Sequence, residues 1–240
     1  MKIRIKFRKY GVMKFIGHLD MMRYFQKVMR RANINICYSE GFSPHQIMSF
    51  AAPLGVGITS DGEYLDIEVH DTRSTKESLE ALNANMVEGV EITEYVALPD
   101  NAKTAMSIVA AADYELNYKE GYTSPFTKEE WEEKLQTFFD EPSEVLITKK
   151  TKKSEKQMDL KQLVYGFRII EKAGQPAFYL NVCTGSTDNL KPELVLEAFY
   201  QSLGMEYNPD AMQIHRLDVY SYDEENKKYV SLGDMGKEIA

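Results

Sequence analysis

Hydrophobic and polar residues alternate strictly from Lys2 to Tyr10, with Ile3, Ile5 and Phe7 on one face and Lys2, Arg4, Lys6 and Arg8 on the other. A period of two predicts a half-buried strand whose charged face is wet, as on a sheet edge. The period then changes. From about His18 to Ala32, at roughly 100° per residue, Leu19, Met22, Phe25, Gln26 and Met29 fall on one side. Arg23, Lys27, Arg30 and Arg31 fall on the other, so the pattern predicts a helix that docks through a Met/Phe stripe and presents a ridge of four cations. Ile34 to Tyr38 reads as a short strand, Ser39 to Asp61 as a long loop, and Gly62 to His70 as a further strand. Ser74 followed by Glu77 is a capping-box pattern opening a helix to about Asn85. Val90 to Leu98 is the next strand, closed by Pro99.

The order β-α-β-β-α-β is that of the split βαβ, or ferredoxin-like, unit. After a linker at Asn101 to Thr104 the scheme repeats approximately. Strands at Ser107–Tyr118, Val145–Thr148, Tyr165–Glu171, Phe178–Cys183 and Met212–Tyr220 accompany helices from Thr127 and from Lys191. The expectation is an α+β chain of tandem ferredoxin-like domains, antiparallel sheets with helices on one face, over residues 1–100 and 105–222. Residues 223–240 are expected to form a loose polar tail.

Composition narrows the class. Apolar content of 43% and charged content of 28% are ordinary for a folded protein. No apolar run reaches the roughly 18 residues of a membrane span, and the start lacks a secretory apolar block. Cys37 and Cys183 make no metal or cluster spacing, so free thiols in a cytoplasmic setting are expected. The net charge of −8 conceals an asymmetry: residues 1–31 hold ten Lys and Arg against Asp20 alone, leaving 19 bases and 36 acids in the remainder. The balance is +9 against −17, which points to an anionic partner at the basic end.

Candidate chemistry gathers in the same stretch. The loop Glu40-Gly41-Phe42-Ser43-Pro44-His45 combines backbone freedom, restricted neighbours of proline and a histidine, as loops that hold a ligand do. His18 at a helix start and His45 in the loop are the candidate acid and base; His70 and His215 sit in strand patterns and read as structural. Gly55-Val56-Gly57 is not a strand-to-helix GxGxxG turn, so no dinucleotide cofactor is expected, and no short ligand spacing argues for a metal. A second basic region, Lys149, Lys150, Lys152 and Lys153 with Lys156 and Lys161, reads either as a solvated hairpin tip or as a phosphate contact.

Several of these motifs together resemble a known family. Phe15-Ile16-Gly17-His18-Leu19-Asp20, Arg30-Arg31-Ala32, Ser39 to His45, Ser49-Phe50-Ala51, Pro53 to Gly57 and Glu63 to Ile67 are similar to the radical-SAM-linked family, a domain of unknown function. The match is dense over residues 3 to 70 and thin over Lys149 to Leu163. Gly17 stands where many members carry a hydroxyl residue, and Gln46-Ile47 stand where they carry Pro-Lys. The resemblance implies a radical-SAM partner, because two distant cysteines do not supply the three-cysteine cluster motif in this chain itself. Three readings follow. The first is a non-catalytic RNA-binding accessory domain using Arg23, Lys27, Arg30 and Arg31. The second is a metal-independent RNA-processing or RNA-modifying enzyme using His18 and His45. The third is a protein-docking module for the radical-SAM enzyme.

Overall fold

The computed structural model describes residues 1–150, 155–185 and 188–240, without the side chain of Lys150. Its architecture is α+β, with antiparallel strand pairing accompanied by helices. The chain divides into two compact units, one of Met1–Ala111 with Arg216–Ala240, the other of Ala112–His215. The first unit therefore extends beyond residue 100 and regains the chain at Arg216.

Unit one opens with β1 (Lys2–Lys9), a 3-10 turn at Gly11–Phe15 and α1 (His18–Arg31), followed by β2 (Met48–Phe50), β3 (Thr59–Glu68), α2 (Thr75–Asn83) and β4 (Val90–Ala97). β1 lies between β3 and β4, antiparallel to both, with Ile5 opposite Leu65 on one side and Tyr95 on the other. β2 pairs with β3, Met48 opposite Ile67. The short helix α3 (Ala105–Ile108) follows β4. Ile3, Ile5 and Phe7 are buried with Met21, Phe25, Val28 and Met29 of α1, and the Phe7 and Phe25 rings lie 4.8 Å apart.

The docking stripe of α1 is turned from its expected position. Leu19 is 62% exposed, whereas Met21 and Val28 are in the core. At the helical period Met21 and Val28 lie within about 60° of Phe25, and Leu19 about 120° away. The expected strand over Ile34–Tyr38 is also displaced. Isolated bridges join Ile36 to Val69 and Tyr38 to Gln46, and the ladder forms at β2 instead. Cys37 donates to the Glu68 carbonyl and accepts from Ile47, so this segment threads between two neighbours without a regular partner. The Ser74–Glu77 capping box is formed as expected.

The charged face of β1 is not a wet edge, because β1 is a central strand. Arg4, 1% exposed, donates from Nε and Nη2 to Asp66 at 2.7 and 3.0 Å and from Nη1 to the Leu232 carbonyl. Lys6 reaches Asp218 at 3.2 Å and Glu94 at 3.4 Å, and Arg8 reaches Asp61 at 2.8 Å and Glu91 at 3.5 Å.

Unit two holds most of β5 (Val109–Tyr118), then α4 (Lys128–Asp140), β6 (Leu146–Lys150), β7 (Glu155–Asp159), α5 (Leu160–Leu163), β8 (Val164–Lys172), β9 (Gln175–Cys183), α6 (Pro192–Ser202) and the start of β10 (Met212–Asp223). Within it the strand order is β10-β5-β9-β8, with β6 and β7 forming a separate hairpin sheet. The Lys-rich stretch thus supplies hairpin arms, with Lys149 opposite Lys156. Trp131 is fully buried among Phe126, Phe178, Phe199 and Tyr200.

From Arg216 onward β10 belongs to unit one, where it pairs with β3 and with β11 (Lys228–Ser231). The approach at Gly62 is close: a Cβ there would meet the Leu217 carbonyl and the Asp218 Cα at 2.7 Å. The segment after Asp223, expected to be loose, is ordered. Leu232 is fully buried, Lys237 exchanges backbone hydrogen bonds with Ala97, and Ile239 accepts from the Thr75 N–H while its own N–H donates to Thr75 Oγ1. Its polar residues conceal enough apolar anchors to hold it down.

Candidate functional site

The four cations expected along α1 emerge together. Because Met21, Phe25, Val28 and Met29 face the core, Arg23, Lys27, Arg30 and Arg31 stand on the opposite side, all exposed. Asp20 in the first turn and Arg30 and Arg31 in the last oppose the helix dipole at each end. Arg23 pairs with Asp20 at 3.2 Å, an exposed pair that screens little of the ridge. Arg30 donates from Nε to the Gln26 carbonyl at 3.2 Å.

The loop after this helix is a projecting tip on a tied neck rather than a recess. Tyr38 and Gln46 form a bridge, Ser39 N–H donates to the His45 carbonyl at 2.8 Å, and His45 N–H donates to Ser39 Oγ at 3.1 Å. Ser39 Oγ also lies 2.9 Å from His45 Nδ1. Gly41 takes φ +108°, a backbone state that L side chains rarely adopt, so the sharp turn depends on glycine there. Glu40 to His45 are all exposed, and the Phe42 ring is wholly in solvent.

The neck rests on α1 through Tyr38 and Gln46, which the sequence does not mark as site residues. Gln46, 5% exposed, donates from Nε2 to the Gln26 carbonyl at 3.3 Å and to Tyr38 Oη at 3.4 Å. One carbonyl of α1 therefore receives both Gln46 from the loop and Arg30 from the ridge. Gln46 Oε1 has no partner among the described residues. Tyr38, half in solvent, adds a second exposed ring beside the loop. The only signal for Tyr38 and Gln46 was their position immediately flanking Ser39 and His45, which no periodicity marks.

The two candidate histidines occupy different surroundings. His18, half-buried, sets its ring edge-on to Phe50, centroids 5.2 Å apart, and lines a small cavity of about 20 Å³. His45 stands on the exposed neck. In unit two, Lys149 Nζ donates to the Asn189 carbonyl at 2.7 Å, and Lys156 pairs with Asp188. Lys152 and Lys153, with the side chain of Lys150, lie outside the described residues. Among the described residues no helix is long and apolar enough to cross a membrane.

A family model described as "Uncharacterized protein conserved in bacteria (DUF2344)" matches residues 2–192. No curated protein matches the chain in sequence. Among solved structures, a chain of "Crystal Structure of a Cbf5-Nop10-Gar1 Complex" is similar in path at a TM-score of 0.48 and 11% identity. That similarity covers 90% of this chain and 48% of the other, so this chain spans about half the length of its match, and the likeness is too slight to carry an argument.

Proposed function

Because the chain belongs to this bacterial family of uncharacterised proteins, we propose from its own surface that it is a non-catalytic RNA-binding accessory protein acting with a radical-SAM partner. The observation that carries the RNA reading is the junction at the Gln26 carbonyl, which joins the tip bearing Phe42 and Tyr38 to the ridge bearing Arg23, Lys27, Arg30 and Arg31. Cations supply phosphate contacts and counterion release, and exposed rings supply stacking for unpaired bases. Neither feature alone distinguishes a binding surface from a solvated one; their adjacency favours single-stranded RNA. The radical-SAM partner rests on the resemblance of the motif residues, and a cytoplasmic setting is proposed with it, Cys37 and Cys183 being free thiols.

We read both units as ferredoxin-like. Support comes from the order β4-β1-β3-β2 in unit one, antiparallel at each pair, and the order β10-β5-β9-β8 in unit two, the latter interrupted by the β6–β7 hairpin. The second function reading, a docking face for a protein partner, is favoured by exposed Phe15, Leu19 and Val56. His18, half-buried against Phe50, and His45, exposed and bonded to Ser39, stand in separate surroundings, so catalysis by the pair is not proposed.

Fluorescence anisotropy with labelled single-stranded RNA tests the proposal. Binding should weaken steeply with salt, and Phe42→Ala should cost about 1–3 kcal/mol of affinity through lost stacking. Affinity that ignores salt and survives Arg30→Ala with Arg31→Ala would leave the docking reading in its place.

A further inference from the structure

Behind the start of α1 lies a group of buried charges that the surface reading leaves unused. Lys9 closes β1 and is 2% exposed, its ammonium donating to the Ile16 carbonyl at 2.6 Å. Arg216, equally buried, grips Glu63 through Nε at 2.7 Å and Nη2 at 2.5 Å, and Nη2 also donates to the Ala52 carbonyl. Both Glu63 oxygens are thus engaged by Arg216, and Lys9 makes no hydrogen bond to a carboxylate among the described residues.

Lys9 uses one of its three donors among the described residues. Burial pushes its ammonium below the ordinary value; the Glu63 charge opposes that shift and Arg216 adds to it. Lys9, His18 and Glu63 share the walls of the cavity of about 20 Å³ with Phe50 and Pro53. That volume admits one water-sized group. A positive charge held out of water beside a carboxylate already engaged by another cation is unfavourable, and an anion reaching it would relieve that cost.

We propose that this cavity is an oxyanion site, in which one oxygen of a carboxylate or phosphate group meets the Lys9 ammonium and the His18 imidazole. Only the end of a ligand enters; a nucleobase is too large. Phe7, Met21 and Phe50 line the same cavity and would strengthen the charged contact by excluding water. The site does not depend on the ridge, so it stands or falls separately from RNA binding.

The experiment titrates the full chain with sodium phosphate and, separately, with sodium acetate, ionic strength being held constant with sodium chloride. Thermal unfolding and the ring resonances of the four histidines are followed together. A saturable rise in Tm with the His18 resonance moving in step is expected, and binding should weaken at least about ten-fold in Lys9→Met, as when a buried charge partner is removed. Should Lys9→Met not fold, His18→Asn is expected to show the same loss. Saturation by phosphate alone, by acetate alone or by both identifies which oxyanion the site takes. Absence of any saturable effect, an equal effect in the variants, or resonance changes confined to His45, His70 and His215 overturns the proposal.

Discussion

Two sets of cations within the first 31 residues meet opposite fates. Arg4, Lys6 and Arg8 on β1 each find carboxylates: Asp66, then Asp218 and Glu94, then Asp61 and Glu91. Arg23, Lys27, Arg30 and Arg31 on α1 have Asp20 as their one carboxylate partner among the described residues. The residue types are the same, and both sets stand opposite an apolar stripe. What differs is the neighbourhood: a central strand has partner strands on both sides, while the outer face of a docked helix has water. A basic segment therefore projects only the field that its own fold leaves unanswered.

The comparison is most severely tested at Arg4. Arg4→Ala strands Asp66 in the interior with the Ala105 N–H at 2.6 Å as its remaining donor, and should lower stability by about 3–5 kcal/mol in urea unfolding. Arg4→Met combined with Asp66→Leu should recover most of that loss; failure to recover would mean the pair is not the cause. On the helix, Arg30→Ala with Arg31→Ala should alter stability by no more than about 0.5 kcal/mol. The same double variant should reduce the salt slope of RNA binding by roughly 1.4, two phosphate contacts on a single strand. A large loss of stability instead would show that the ridge, like β1, is structural.

Arg8 lies between the extremes, paired but exposed, and Arg8→Ala should cost less than about 1 kcal/mol. The smallest effect is in pH. Burial alone would lower the Lys6 ammonium, but Asp218 and Glu94 outweigh it and hold it above its ordinary 10.5. The stability contributed by charged Lys6 is therefore complete below pH 10.5 and lost as pH rises through the elevated value. The gap in unfolding free energy between wild type and Lys6→Met should narrow above that pH. A gap that stays constant would deny the pairing.

Local features were legible without coordinates. The alternation at Ile3, Ile5 and Phe7, the cationic side of α1, the capping box at Ser74 and the helix start at Thr127 depend on residues within a turn or two of one another. The errors lie where a distant partner decides. The helical period alone groups Leu19 with the apolar stripe, whereas Phe50 and Phe7 select the face centred on Phe25. Ile34 to Tyr38 has strand composition but meets only single bridges. The final residues look polar, and Leu232 and Ile239 nevertheless tie them to unit one. The contribution of Tyr38 and Gln46 depends on a neck closed by tertiary contact.

The chain by itself determined its period changes, its helix caps, its surplus of N-terminal cations and the glycine on which the tip at Gly41 turns, since each follows from short-range sterics and spacing. Only the tertiary structure decided which cations are answered, and it alone brought Lys9, Glu63 and Arg216 into one interior group across more than 150 residues of sequence. The physical reason is that charge and burial are properties of neighbours in space. Strand pairing chooses those neighbours, and no local pattern encodes the choice.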